Sequence, residues 1–157
     1  EIYNPPGTTQ NGLRAMGEYM EFLKYKPEQF SILDGSGLSR KNQMSPDQIV
    51  SILQDMYIDL RVYPEFISAL GVMSRDGNVL KRMNGNKDAE RARVKTGTLN
   101  SISALSGYFQ SADGEQFAFS MLMNGLKCSN RQAKRLQDRI ITEGLNFKRL
   151  NVEPNLN

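Results

Sequence analysis

Apolar residues recur at helical spacing in the first part of the chain and at strand spacing in the middle. Leu13, Met16, Met20 and Leu23 predict an amphipathic helix over residues 8–24, with Thr8 or Thr9 as its cap. The run "SPDQIVSILQDMYIDL" predicts a second helix. Ser45 caps it, Pro46 opens it, Gln48 closes a capping box, and Ile49, Ile52, Leu53, Met56 and Leu60 form its buried stripe. Residues 64–70 predict a short third helix, and the glycine-rich, polar stretch 71–92 predicts loop. Three strands are expected over 94–99, 102–109 and 116–123, the last two joined by a hairpin turn at Asp113-Gly114. In the third strand neither alternating set is polar, as expected of a sheet covered on both faces. A last helix is expected from the Ser129 cap to a stop at Gly144, burying Ala133, Leu136 and Ile140. The order of elements predicts a mixed α/β (α+β) fold, with helices packed on an antiparallel sheet.

The chain of 157 residues has the length of one domain. It is 39% apolar and 24% charged, and no run approaches the ~20 apolar residues of a membrane span. It opens on Glu1 rather than Met, which predicts a mature or trimmed product.

The inventory of side chains excludes much chemistry. There is no histidine, so imidazole cannot serve as base or ligand. Cys128 is the single cysteine, and a four-ligand zinc site cannot be assembled, so no metal and no cofactor is expected. Acid–base work would fall to Lys, Asp, Glu or Tyr. The net charge is +3. Its basic residues cluster at Lys81, Arg82, Lys87, Arg91, Arg93 and Lys95, and again at Lys127, Arg131, Lys134, Arg135 and Arg139. Neither cluster is interleaved with aromatic residues, so both read as solvated faces and nucleic acid is not an expected partner.

Two short segments could carry chemistry. Lys95, Thr96, Gly97 and Thr98 head the first predicted strand. A cation, two hydroxyls and a glycine suit the wall of a site: Gly97 admits a close backbone, and the threonines offer donors. They equally suit an edge strand with Lys95 as a solubility device. The loop "DGSGLSRKN", Asp34 to Asn42, presents Ser36 and Ser39 before a helix, and is also an ordinary turn composition.

Taken together, "DGSGLSRKNQMSP" and "RVKTGTLNSISALSGYFQSADGEQFAFSMLMN" resemble the C-terminal half of a D-alanyl-D-alanine carboxypeptidase of the S13 peptidase family, the class C low-molecular-mass penicillin-binding proteins. "LGVMSRDGNVLKRM" between them resembles the family's loop ahead of its Lys-Thr-Gly strand. The resemblance implies part of a β-lactamase/transpeptidase-like domain located in the periplasm or elsewhere outside the cytoplasm. It also implies D-Ala-D-Ala peptides of peptidoglycan as substrate and β-lactams as ligands. Penicillin-recognising enzymes carry S-x-x-K, a Ser–Asn element and K-T-G. On the resemblance, Lys95, Thr96 and Gly97 are the third element, with Lys95 polarising, and Thr96 and Thr98 binding the substrate carboxylate. Ser39 and Asn42 are the second element. The spacing Ser39-Arg40-Lys41-Asn42 is one residue longer than Ser-x-Asn, which leaves Lys41 as the alternative to Asn42. No lysine has a serine three positions before it, so the first element is missing. The resemblance therefore implies that residues 1–157 are the C-terminal part of the domain, partnered by a missing N-terminal part that carries the nucleophile. A catalytically silent wall-binding module with the same fold is the competing expectation.

Overall fold

The computed structural model describes residues 7–149. Residues 1–6, where the chain begins, and 150–157 lie outside the described part. Helix α1 (Thr9–Phe22) starts at the Thr8 cap, whose side chain accepts from the Asn11 N–H. Helix α2 (Pro46–Ile58) forms with the expected Ser45–Gln48 capping box and Pro46 in its first turn. A short α3 (Tyr63–Ala69) follows. Then come four antiparallel strands in sheet order: β1 (Gly71–Val72), β2 (Ala92–Leu99), β3 (Ile102–Gln110) and β4 (Gln116–Met123). Helix α4 (Asn130–Asn146) closes the described chain.

The sheet is covered on both faces. On one, Val94 and Leu105 pack with Ile141 and Leu145 of α4, and with Met73, Val79, Ala89 and Ala92. On the other, Tyr108 packs with Leu53 of α2 and Leu70 at the end of α3. The Tyr108 hydroxyl donates to the Leu53 carbonyl, tying β3 to the middle of α2. Helix α1 stands outside α2 and is held by tyrosines: Tyr19 donates to Asp55 (2.7 Å), and Tyr25 donates to Asp47 (2.7 Å). Residues 117–123 of β4 are half-buried, as befits the outer strand of the sheet.

Four expectations are corrected. First, the stretch read as loop before β2 contains β1, whose Gly71 and Val72 pair with Val94 and Arg93. A two-residue strand is too short for periodicity to reveal. Second, the buried stripe of α4 is Ala133, Gln137, Ile141 and Leu145, while Leu136 and Ile140 are about half exposed. Counting apolar residues misses this phase because a glutamine belongs to the inner face. Third, Gly144 does not end α4. A Cβ there would lie 2.6 Å from the Phe109 ring, so the glycine lets helix and sheet approach. Fourth, Leu60 lies beyond α2 and is 82% exposed, and of the α1 stripe only Met20 is buried. Helix α1 therefore presents more apolar surface to solvent than the pattern predicts.

Candidate functional site

The loop Asp34–Asn42 is built around one carboxylate and one carboxamide. The Asp34 carboxylate accepts from the Gly37 N–H (2.8 Å), the Ser39 N–H (2.7 Å) and the Ser36 hydroxyl (3.1 Å). Partial desolvation works against its charge, but these donors prevail and hold it below the usual aspartate range. Asn42 accepts from the Leu33 N–H (2.8 Å) and donates to the Asp34 carbonyl (3.0 Å). The Asn42 carboxamide is thus engaged with backbone at the start of the loop. A bridge between Ser31 and Gln43 closes the loop's base.

Strand β2 has an open outer edge. Met73 N–H donates to the Ala92 carbonyl (3.0 Å), so the backbone groups of Ala92, Val94, Thr96 and Thr98 alternate outward. β1 reaches only as far as Val94, which leaves Thr96 and Thr98 beyond its pairing. The side chains alternate too. Thr96 and Thr98 lie opposite Leu105 and Ser103 on the α4 face, whereas Lys95 and Gly97 lie opposite Ser106 and Ala104 on the α2 face. Lys95 is exposed and donates to the Thr96 carbonyl (3.1 Å), so its ammonium lies along the open edge. A Cβ on Gly97 would meet Ala104 at 3.3 Å.

The expected site residues occupy two cavities. Ser39 and Asn42 line one of about 660 Å³ between the loop and the sheet, walled by Ile49, Leu99, Ala104 and Leu122. Lys95, Thr96 and Thr98 line another of about 390 Å³ with Asn78, Arg82 and Lys134. Gly97 lines neither. Thr98 lines one and its neighbour Leu99 the other, because successive side chains of β2 point to opposite faces of the sheet. Arg40, next to Ser39, donates to the Asn100 carbonyl (3.2 Å), which ties the Ser39 loop to the β2–β3 turn.

The basic stretch is not wholly a solvated face. Arg82 is only 8% exposed and is held by Asp138 (2.7 Å). Arg91 donates to the Gln110, Ser111 and Leu145 carbonyls. The charge count singled out both residues, but only the tertiary structure shows them turned inward. Among the described residues no group of three His, Cys, Asp or Glu side chains could hold a metal ion. Nor is any helix long and apolar enough to cross a membrane.

The sequence profile of the D-Ala-D-Ala carboxypeptidase 3 (S13) family matches residues 1–143. The chain belongs to this family. It is 34% identical over 128 residues to a D-alanyl-D-alanine carboxypeptidase of Actinomadura, a match covering 76% of this chain and 23% of that protein. It is 28% identical over 138 residues to the D-alanyl-D-alanine carboxypeptidase DacB of Haemophilus influenzae, covering 84% of this chain and 28% of that one. Its fold is that of penicillin-binding protein 4 from Haemophilus influenzae: the TM-score is 0.76 at 23% identity, over 90% of this chain and 33% of that one. A predatory endopeptidase of Bdellovibrio bacteriovorus, solved with an immunity protein, matches with a TM-score of 0.63 at 19% identity, over 88% of this chain and 39% of that one. The S13 chain thus spans about a quarter of the length of the curated relatives it matches.

Proposed function

We propose that this chain is the C-terminal part of a serine D-Ala-D-Ala carboxypeptidase or endopeptidase. It would act outside the cytoplasm on peptidoglycan stem peptides through an acyl-enzyme, with β-lactams as mimics of the substrate. The observation that carries the proposal is the open edge of β2. There Thr96 and Thr98 border a cationic cavity, and the Arg40 link holds the Ser39 loop at the same end of the sheet.

The chemistry divides between this chain and a part it does not contain. With no histidine, a serine hydroxyl must lose its proton to lysine, which needs burial or neighbouring cations to act as a base. That Ser-x-x-Lys pair is supplied by the missing N-terminal part. Ser39 relays a proton to the leaving amine, and Lys95 keeps the relay polarised. Thr96 and Thr98 bind the substrate carboxylate, and Gly97 keeps the strand slim where the peptide approaches. The outward Thr98 N–H is one oxyanion donor, a contribution typically worth about 3 kcal/mol to the transition state. Asn42 shapes the loop that presents Ser39, and Lys41 occupies the position two residues after that serine.

The absence of Ser-x-x-Lys from all 157 residues supports a second reading, a catalytically silent wall-binding module. Intact-mass measurement after exposure to benzylpenicillin separates the two. We expect the longer parent protein to gain one penicilloyl group and the 157-residue chain to gain none. A parent that gains none supports the silent module, and an adduct on the chain alone refutes a nucleophile located elsewhere.

A further inference from the structure

The pair Asn-Gly occurs at Asn11-Gly12, Asn84-Gly85 and Asn124-Gly125. It is a labile pair. Without a Cβ, the glycine backbone turns freely enough for its nitrogen to reach the preceding carboxamide, and asparagine is a thermolabile residue. The fold treats the three pairs differently. Gly12 lies in α1, where its N–H donates to the Thr8 carbonyl (3.0 Å), so its nitrogen is committed to the helix. Asn84-Gly85 and Asn124-Gly125 are exposed; Gly85 and Gly125 have φ of +87° and +62°, and a Cβ on either would meet nothing within 4 Å. Neither of these glycine N–H groups, and neither carboxamide, has a hydrogen-bond partner among the described residues. Asn124 differs from Asn84 in its setting. It lines the cavity of about 660 Å³ together with Ser39, Arg40 and Asn42, and Arg40 carries the one charge among the described residues lining it. It also belongs to a short link. Met123 pairs with Ser103 at the end of the β3–β4 ladder, and the Leu126 N–H donates to the Ser101 carbonyl (3.0 Å). Asn124 and Gly125 alone span the gap between these two fixed points.

We propose that Asn124 is a site of spontaneous covalent change that remodels the cavity beside Ser39. The Gly125 nitrogen attacks Cγ of Asn124. The new N–Cγ bond closes a succinimide ring, the Cγ–Nδ2 bond breaks, and ammonia leaves with the proton of the Gly125 N–H. Water then opens the ring. Attack at the side-chain carbonyl leaves an ordinary aspartate, and attack at the main-chain carbonyl leaves an isoaspartate. No oxidant or reductant is needed. Either product carries a carboxylate where the cavity wall had a neutral amide, and so offsets the charge of Arg40. The isoaspartate also adds one methylene to the main chain between two fixed points, which works against the Leu126–Ser101 bond. The chemistry is independent of the peptidase reading, which the penicilloyl measurement tests separately.

The test ages the folded 157-residue chain in heavy-oxygen water at mildly alkaline pH, followed by peptide mapping with mass spectrometry. Heavy oxygen enters only carboxyls formed during the incubation, so older damage is not counted. We expect Asn124 and Asn84 to convert, each to a mixture of aspartate and isoaspartate. Asn11 should convert many-fold more slowly, in proportion to how rarely the helix opens. Conversion should quicken as pH rises, because the attacking nitrogen must shed its proton. Gly125→Ala should slow the change at Asn124 several-fold and leave Asn84 as it was. Should that variant fold poorly, Asn124→Gln serves instead: it keeps a carboxamide and should abolish the change at this position. An Asn124 that stays intact while Asn84 converts overturns the proposal, as does conversion of Asn11 at the same rate as Asn124. Amide spectra of the aged and fresh chains test the consequence. We expect the Leu126, Ser101 and Ser39–Arg40 resonances to shift in the aged chain and to stay in place in aged Asn124→Gln, where Asn84 still converts. Identical shifts in both chains, or none in either, would overturn the claim that the change remodels the cavity.

Discussion

Gly107 shows how one residue is dictated by its neighbours. Its φ is +151°, and a Cβ there would lie 2.0 Å from the Arg93 carbonyl oxygen. That contact is with backbone, which cannot swing aside. We expect Gly107→Ala to destabilise the chain by about 3 kcal/mol or more, seen as a lowered denaturation midpoint. A midpoint within error of the original would show that β2 and β3 separate more easily than their pairing implies. Asn42 and Asp34 make the opposite case, because their roles are partly legible in sequence: Asp-Gly-Ser-Gly announces a tight loop. That Asn42 folds back on Asp34 needs the loop's path, since both hydrogen-bond partners lie eight or nine positions earlier. Asp34 also makes the loop sensitive to acid. A carboxylate lowered by its donors stabilises the fold above the ordinary aspartate value, and the contribution fades as pH falls through the lowered value. Loss of the Ser36–Ser39 loop resonances should therefore precede global unfolding on acidification. Simultaneous loss would mean that the loop has no separate acid sensitivity.

At the scale of elements, helix caps and strand alternation were readable, and helix phase was not always so. Ser45 and Ser129 start α2 and α4 through local side-chain bonds, which depend only on nearby residues. The inner face of α4 instead depends on Gln137, which accepts from Arg82 across 55 positions. Arg91 is the comparable device at the other end of α4. Its guanidinium caps the Leu145 carbonyl while binding Gln110 and Ser111 at the end of β3, so one side chain fastens helix to sheet. Arg91→Ala leaves three carbonyls without this donor. We expect a loss of about 2 kcal/mol or more, together with faster amide exchange in residues 141–146. Unchanged exchange there would show that Phe109 and the buried leucine hold the helix end without it.

For the whole molecule, the tyrosines joining α1, α2 and the sheet predict a limit on the alkaline side. Burial, reinforced by Tyr63 and Tyr57, pushes Tyr108 from 10.0 up to about 12. Burial and the Asp55 carboxylate raise Tyr19 as well. A phenol whose folded value is raised favours the folded state fully below the ordinary tyrosine value and loses that contribution as pH rises through the folded one. Stability should therefore hold up to about pH 10 and fall between about pH 10 and 12. Tyr108→Phe lowers the baseline by removing the bond to Leu53 but should shallow the slope. An identical slope would place the alkaline sensitivity elsewhere.

The sequence by itself determined the helices with strong caps, the β2–β3–β4 meander, the exclusion of imidazole chemistry and the two segments that identify the family. Those features rest on interactions within a few residues or on side chains that are simply present or absent. Only the tertiary structure decided which face of α4 is buried, that β1 exists, and that β2 keeps an open edge at Thr96 and Thr98. It also decided that Arg82 and Lys134 face the same cavity as that edge. These outcomes depend on residues distant in sequence meeting in the fold, from Val72 with Arg93 in the β1–β2 pairing to Arg82 with Asp138 in an ion pair, and no local pattern carries that information.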